Sequence, residues 1–161
     1  MLSQEENETL TRVGPGTPGG EMLRRYWWPV SFSELVTKNG QPSKVRLLGE
    51  DLVLFRDGGG RLGLLALHCS HRGTSLEFGR VEDAGIRCCY HGWLYDTNGR
   101  CLEQPAEPAD SSYKGRVQHP AYRAQEIAGF IFAYIGPGPA PLLPNYDLFL
   151  REDGARHIGA G

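Results

Sequence analysis

The sequence predicts a mainly β fold, an antiparallel sandwich or barrel, in a single domain. Three observations carry that expectation. Short runs rich in Val, Leu and Phe recur from Pro29 onward, 22 glycines and 11 prolines punctuate them, and no repeat or long helical periodicity interrupts the pattern. At 161 residues the chain can bury one well-packed core and is too short for two of ordinary size. An apolar share of 40% with 10% aromatics argues against disorder despite the many turn residues.

Taken in order, residues 1–30 read as an N-terminal arm packed on the domain. EENETLTRV forms a short helix, GPGTPGG a turn-rich break, and EMLRRYWWPV a helical start that Pro29 ends. Tyr26, Trp27 and Trp28 are expected to anchor the arm, because large aromatics usually serve burial. Residues 31–150 then form the domain proper. PVSFSELV, KVRLL, DLVLFRD and LGLLALH read as strands, with DGGGR at 57–61 as a hairpin loop in which glycine tolerates positive φ. IRCC and WLYD follow, then Asn98-Gly99 as a two-residue hairpin signal, then RCLEQ. QPAEPAD is an irregular polar loop, AYRAQEI and GFIFAYI return to strand character, and GPGPAPLLP closes the run. Residues 151–161 form a C-terminal segment.

Bulk properties narrow the function classes. The net charge of −2 gives no basic footprint, so nucleic acid is not an expected partner. No window approaches eighteen consecutive apolar residues, and MLSQEENETL is acidic and polar, unlike a signal peptide. No membrane contact and a cytoplasmic, reducing location are therefore expected. In such a compartment the four cysteines read as metal ligands or buried thiols before they read as disulfides.

Chemistry concentrates between Leu67 and Tyr95. Cys69 stands two residues before His71, and Cys88 three residues before His91. Each pair follows a predicted strand and enters a glycine-containing turn, so two loops at neighbouring strand ends can share a metal. Zinc accepts such a donor set, and so does an iron–sulfur cluster. The usual zinc finger pairs cysteine with cysteine and histidine with histidine. Here each segment supplies one of each kind, which suits two irons that each take one ligand from each loop.

CSHRG at Cys69 to Gly73 and CCYHGW at Cys88 to Trp93 resemble the two cluster-binding boxes of a Rieske protein. The sixteen residues between His71 and Cys88 match the family's spacing. The resemblance implies a Rieske fold whose cluster-binding part, about residues 66–105, carries the two loops. It also implies that Cys69 and Cys88 bind one iron of a 2Fe–2S cluster and that His71 and His91 bind the other. Two ferric ions, two sulfides and two thiolates sum to zero, so such a site accepts an electron more easily than an all-cysteine one. The electron would settle on the histidine-bound iron. An imidazole bound through one nitrogen keeps a proton on the other, and its pKa would rise on reduction.

Rieske proteins of respiratory and photosynthetic complexes add a disulfide between the loops. The corresponding positions here are Thr74 and Tyr90, and Trp93 replaces a serine that donates to a bridging sulfide. The resemblance therefore implies a potential toward the low end, about −150 to 0 mV. HRG and HGW, with the flanks ENETLTRVGPGTPGGEMLRRYWWPV and GRCLEQPAEP, resemble ring-hydroxylating oxygenase large subunits of the phthalate 4,5-dioxygenase type. That likeness implies electron delivery from NAD(P)H through a flavin-containing reductase. The acceptor would be a mononuclear non-haem iron in an oxygenase catalytic domain, of the same or a neighbouring subunit. Only His119 and His157 follow His91, without a facial-triad pattern, so that second iron site is expected to lie outside this chain. A free-standing Rieske ferredoxin is the alternative, and a structural zinc module a remote one.

Other residues carry plainer expectations. His68 should point away from the cluster, because neighbours in extended backbone face opposite ways. Cys89 and Cys101 are expected as free, buried or half-buried thiols. Arg72 is expected to meet a carbonyl or a partner's carboxylate, and Trp93 and Tyr95 to shield the site. Glu103, Glu107 and Asp110 should form a solvated acidic face. Leu148, Phe149 and Leu150 are candidates for an exposed apolar patch.

Overall fold

The computed structural model describes residues 1–108 and 110–150. Among these residues ten strands form two antiparallel sheets. The larger has six strands: β1 (Trp28–Phe32), β2 (Ser43–Leu47), β3 (Glu50–Arg56), β4 (Leu62–Ala66), β9 (Ala121–Ile127) and β10 (Phe130–Tyr134), in the order β1-β10-β9-β4-β3-β2. The smaller runs β5 (Arg80–Glu82), β6 (Gly85–Arg87), β7 (Leu94–Tyr95), β8 (Cys101–Glu103) in sequence order. The smaller sheet is an excursion inserted between β4 and β9, which pair directly through Leu64–Tyr122 and Leu65–Ala121.

The larger sheet curls into a nearly closed barrel. Its interior gathers Val36, Leu47, Leu52, Leu54, Leu64, Ile131, Ala133 and Ile135, with Trp28, Val30, Val45, Tyr122 and Ala124 packed against them. A flat sheet could not bring residues of all six strands to one core. The opposite face of β3 and β4 is covered as well. Val53, Phe55 and Leu65 pack with Leu67, Leu76, Val81, Ile86, Trp93, Tyr95 and three cysteines of the inserted lobe. Burial on both faces is why LVLF and LGLL read as continuous apolar runs and not as alternating ones.

Turn chemistry fixes the registers. Leu48-Gly49 and Ala128-Gly129 have positive φ at both positions, the primed geometry that matches strand twist. The β3–β4 and β7–β8 hairpins share a different device. In each, the aspartate of an Asp-x-x-Gly-Arg stretch (57–61 and 96–100) accepts at its carbonyl from the glycine N–H, and its carboxylate accepts from the arginine N–H. Asn98-Gly99 is therefore not the two-residue turn expected. Asn98 keeps ordinary φ and only Gly99 is left-handed (φ 79°), because the Asp96 carboxylate captures the Asn98 and Arg100 amides.

The N-terminal residues form α1 (Gln4–Thr11), with a Ser3–Glu6 capping box, and α2 (Pro18–Leu23). The second helix begins inside the stretch expected to be a break, since Thr17 caps it and Pro18 occupies its first turn. Strand β1 begins at Trp28 and pairs with β10 along an edge, where Pro29 costs no ladder bond. Trp27 donates to Pro141 O at 2.9 Å and Trp28 to Leu23 O at 2.9 Å, whereas Tyr26 is exposed and anchors nothing. The stronger tie is polar: buried Arg24 pairs with Glu50 at 2.8 Å, and Glu50 accepts from the Tyr122 hydroxyl at 2.6 Å. Phe149, in the short helix α3 (Asp147–Leu150), is half-buried against Phe130, Phe132 and Tyr146. Phe149 is thus covered in part; the side chains of Leu148 and Leu150, and residues 151–161 with His157, lie outside the described residues.

Candidate metal centre

Both sequence-selected loops rise from the inserted lobe, and they close by the same backbone bonds. In the first, Cys69 N–H donates to Thr74 O (2.9 Å) and Gly73 N–H to Cys69 O (2.8 Å). In the second, Cys88 N–H donates to Trp93 O (2.9 Å) and Gly92 N–H to Cys88 O (3.1 Å). Each cysteine thus begins a turn that ends on a glycine four residues later. Gly73 (φ 72°) and Gly92 (φ 74°) both adopt the left-handed conformation that glycine takes without penalty. The matched turns present their side chains to each other.

All four sequence-predicted residues come together in pairs. Cys69 and Cys88 are buried and in side-chain contact, and burial, with Cys69 beside it, pushes the Cys88 thiol up. The His71 and His91 rings lie 4.6 Å apart, edge to face. His71 is stacked on Trp93 at 4.5 Å with planes within 3°. Loss of water, then His91 and Arg72 nearby, hold the His71 imidazole below its ordinary pKa. Its Nδ1 is buried without a hydrogen-bond partner. A buried polar atom left unpaired costs about 1–3 kcal/mol unless something binds it, and a metal lone-pair contact would.

Tyr95 is fully buried and its hydroxyl stands 3.3 Å from Cys69 Sγ, with burial and then Cys69 pushing the phenol up. Trp93 and Tyr95 belong to the same buried cluster as Cys69 and Cys88. His68 is exposed and its Nδ1–H donates to Gly73 O at 3.0 Å, away from the thiols. Cys101 is buried beneath the site, Cys89 is exposed, and none of the four cysteines forms a disulfide. Arg72 is exposed. Glu103 is no bystander on an acidic face, since it accepts from Arg87 at 2.6 Å.

Two braces escaped sequence reasoning. Arg87, immediately before Cys88, donates to Gly92 O (2.7 Å), to both Glu82 oxygens (2.8 and 2.9 Å) and to Glu103. These bonds draw Glu82 down to about 2 and hold the guanidinium far above its ordinary range. The first loop is braced from inside by His119, wholly buried, which meets Ser70 Oγ at 2.7 Å and Ala66 O at 2.8 Å. The signals available were faint: an arginine abutting a ligand cysteine, and a lone histidine before Pro120 ahead of a strand.

The donors arrive as a thiol pair and an imidazole pair. Among the described residues no group of three or more His, Cys, Asp or Glu side chains is placed to hold a single ion. Tetrahedral zinc needs four donors about one point, whereas a two-iron cluster takes two ligands at each end. Residues 26–123 match the Rieske [2Fe-2S] domain. The chain belongs to the Rieske family. This Rieske domain is 49% identical, over 98% of its length, to the 5,5'-dehydrodivanillate O-demethylase oxygenase subunit of Sphingobium sp. (strain NBRC 103272 / SYK-6), covering 38% of that protein. It is 48% identical over 87% of its length to the phthalate 4,5-dioxygenase oxygenase subunit of Pseudomonas putida, covering 32% of it. Among solved structures it matches the reduced complex between oxygenase and ferredoxin in carbazole 1,9a-dioxygenase, with TM-score 0.69 and 34% identity. That match covers 81% of this chain and 34% of the other. The Rieske domain thus spans about a third of the length of the relatives it matches. Its resident group is accordingly a Rieske 2Fe–2S cluster, and an oxygenase-type Rieske domain is supported over a free ferredoxin. No helix among the described residues is long and apolar enough to cross a membrane.

Proposed function

We propose that Cys69 and Cys88 hold one iron and His71 and His91 the other, and that the domain passes single electrons to an oxygenase active site. The observation that carries this reading is the pairing of donors by two loops of matched closure. When bound, the cluster supplies a one-electron couple at a potential raised by its imidazole ligands. The protein's own residues do the rest. Trp93 and Tyr95 exclude water from the thiol end, and the Tyr95 O–H donates to Cys69 Sγ, stabilising added negative charge there. The unpartnered His71 Nδ1 fits a metal ligand, which leaves Nε2 to carry a proton at the rim.

The domain would stand at the N-terminal side of an aromatic-ring-hydroxylating oxygenase subunit. A mononuclear non-haem iron in the catalytic domain, of the same or a neighbouring subunit, would take the electron, and a flavin-containing reductase in the cytoplasm would supply it from NAD(P)H. Support comes from the activities of the relatives, from identity that extends through the arm, and from a structural neighbour that is an oxygenase–ferredoxin complex. Iron, zinc and acid-labile sulfide per chain, measured on anaerobically prepared protein, test the ligand assignment. Two irons with two sulfides are expected, and Cys88→Ser or His91→Ala should abolish both. One zinc without sulfide, persisting after anaerobic reconstitution, overturns the proposal.

A further inference from the structure

His119 is wholly buried, lies outside the four donors, and sits where three segments meet. Its Nε2 is 2.8 Å from the carbonyl of Ala66, the last residue of β4. Its Nδ1 is 2.7 Å from the hydroxyl of Ser70, between Cys69 and His71. Its ring lies 4.8 Å from that of Tyr95, whose hydroxyl reaches Cys69 Sγ. Its own backbone N–H donates to Gly99 O at 2.7 Å, fixing it to the β7–β8 hairpin.

A carbonyl only accepts, so Nε2 carries the proton and Nδ1 is left as an acceptor; the Ser70 hydroxyl therefore donates. We infer that His119 is the positioning residue of the first loop. It ties Ser70 to the end of β4 and backs the Tyr95 ring, so that Cys69 and His71 meet the second loop in register. The inference rests on the reading that these residues and Cys88 and His91 hold the cluster. A histidine serving only as satisfied core would have no need of Ser70, an exposed residue whose hydroxyl has water as an equivalent partner. Here both nitrogens and one ring face end on groups that adjoin the first loop's donors.

The test compares Ser70→Ala, Ser70→Thr, His119→Gln and the Ser70→Ala/His119→Gln pair, in reconstituted protein. Iron and sulfide in the wild type are measured first; then the half-life of the visible chromophore under an iron chelator and the g-values of the reduced cluster. Ser70→Ala, at an exposed side chain, should shorten the half-life about fivefold, the factor one ordinary hydrogen bond supplies, and shift the g-values. Ser70→Thr should restore both. His119→Gln keeps an amide where Nε2 stood but also removes the ring that backs Tyr95, so it should lose at least as much as Ser70→Ala, and adding Ser70→Ala in the pair should lose nothing further. Wild-type values in Ser70→Ala, or losses that multiply in the pair, overturn the inference alone. A wild type without two irons and two sulfides overturns the ligand assignment and this inference together.

Discussion

The two ligand loops close with the same pair of backbone bonds and the same left-handed glycine, yet they are braced by opposite chemistry. The first leans on a neutral, buried imidazole whose partners are a hydroxyl and a carbonyl. The second is gripped by a guanidinium between two carboxylates, partly in water. The histidine offset differs too, two residues after cysteine in one and three in the other. Backbone closure sets where the donors stand, and the brace sets what conditions disturb them. Acid and salt should loosen the second loop and leave the first nearly untouched.

The largest expected break in this comparison is at the histidine rings. Trp93 is 5% exposed and stacked on His71, so Trp93→Ala should cost about 3–5 kcal/mol in urea unfolding. Tyr90 covers His91 at 3.8 Å but is 62% exposed, so Tyr90→Ala should stay within about 0.5 kcal/mol. Equal costs would mean that the two imidazoles are sheltered alike.

Next comes the ionic brace. The Glu82 carboxyl sits at about 2 in the folded chain against 4.5 ordinarily, because Arg87 and then Arg80 bond its charged form. A depressed acid stabilises the fold above its unfolded value, and that contribution fades as pH falls from 4.5 toward 2. Glu82→Gln should therefore cost about 2 kcal/mol at neutral pH, with the gap to wild type closing across that window. Thermal midpoints recorded from pH 7 to pH 3 check this, and a gap that is constant with pH would remove the second loop's charged brace from the argument.

The glycines sharpen the contrast at a smaller scale. Alanine at either position adopts an unfavourable φ, worth about 1 kcal/mol. At Gly73 a Cβ meets nothing within 4 Å, whereas at Gly92 it would press on Pro105 Cγ at 3.2 Å. Gly92→Ala should thus be the more damaging, by up to about 1 kcal/mol, in the same unfolding assay. The most local effect is expected at Tyr95→Phe, which removes a donor from the first loop's thiol only. The cluster potential should fall by about 30–60 mV, the equivalent of one hydrogen bond. Protein-film voltammetry would read it, and an unchanged potential would show that the hydroxyl does not reach the sulfur.

Much of this was legible from the residues because the deciding signals are local. Val53, Phe55, Leu64 and Leu65 announce the central strands by unbroken apolarity, and Cys69, His71, Cys88 and His91 announce the loops by spacing and following glycine. What stayed hidden is either short or long-range. Strand β5 is only Arg80-Val81-Glu82, two charges around one valine, with no pattern to read. The contact of Ser70 with His119 crosses 49 residues and that of Tyr122 with Glu50 crosses 72, and no periodicity encodes such pairs. The dipeptide Asn98-Gly99 favours a two-residue turn by itself, and the Asp96 carboxylate two residues earlier overrides it by capturing the Asn98 amide.

Strands β3 and β4 face two cores at once, Leu52, Leu54 and Leu64 pointing into the barrel and Val53, Phe55 and Leu65 under the ligand lobe. Neither side can melt without stripping the strands the other depends on. Unfolding should accordingly be one transition, with no partly melted species in which the barrel survives and the lobe is lost. A Rieske domain built this way keeps its ligand lobe for as long as it keeps the barrel, and acid or salt reaches only the ties within the second loop.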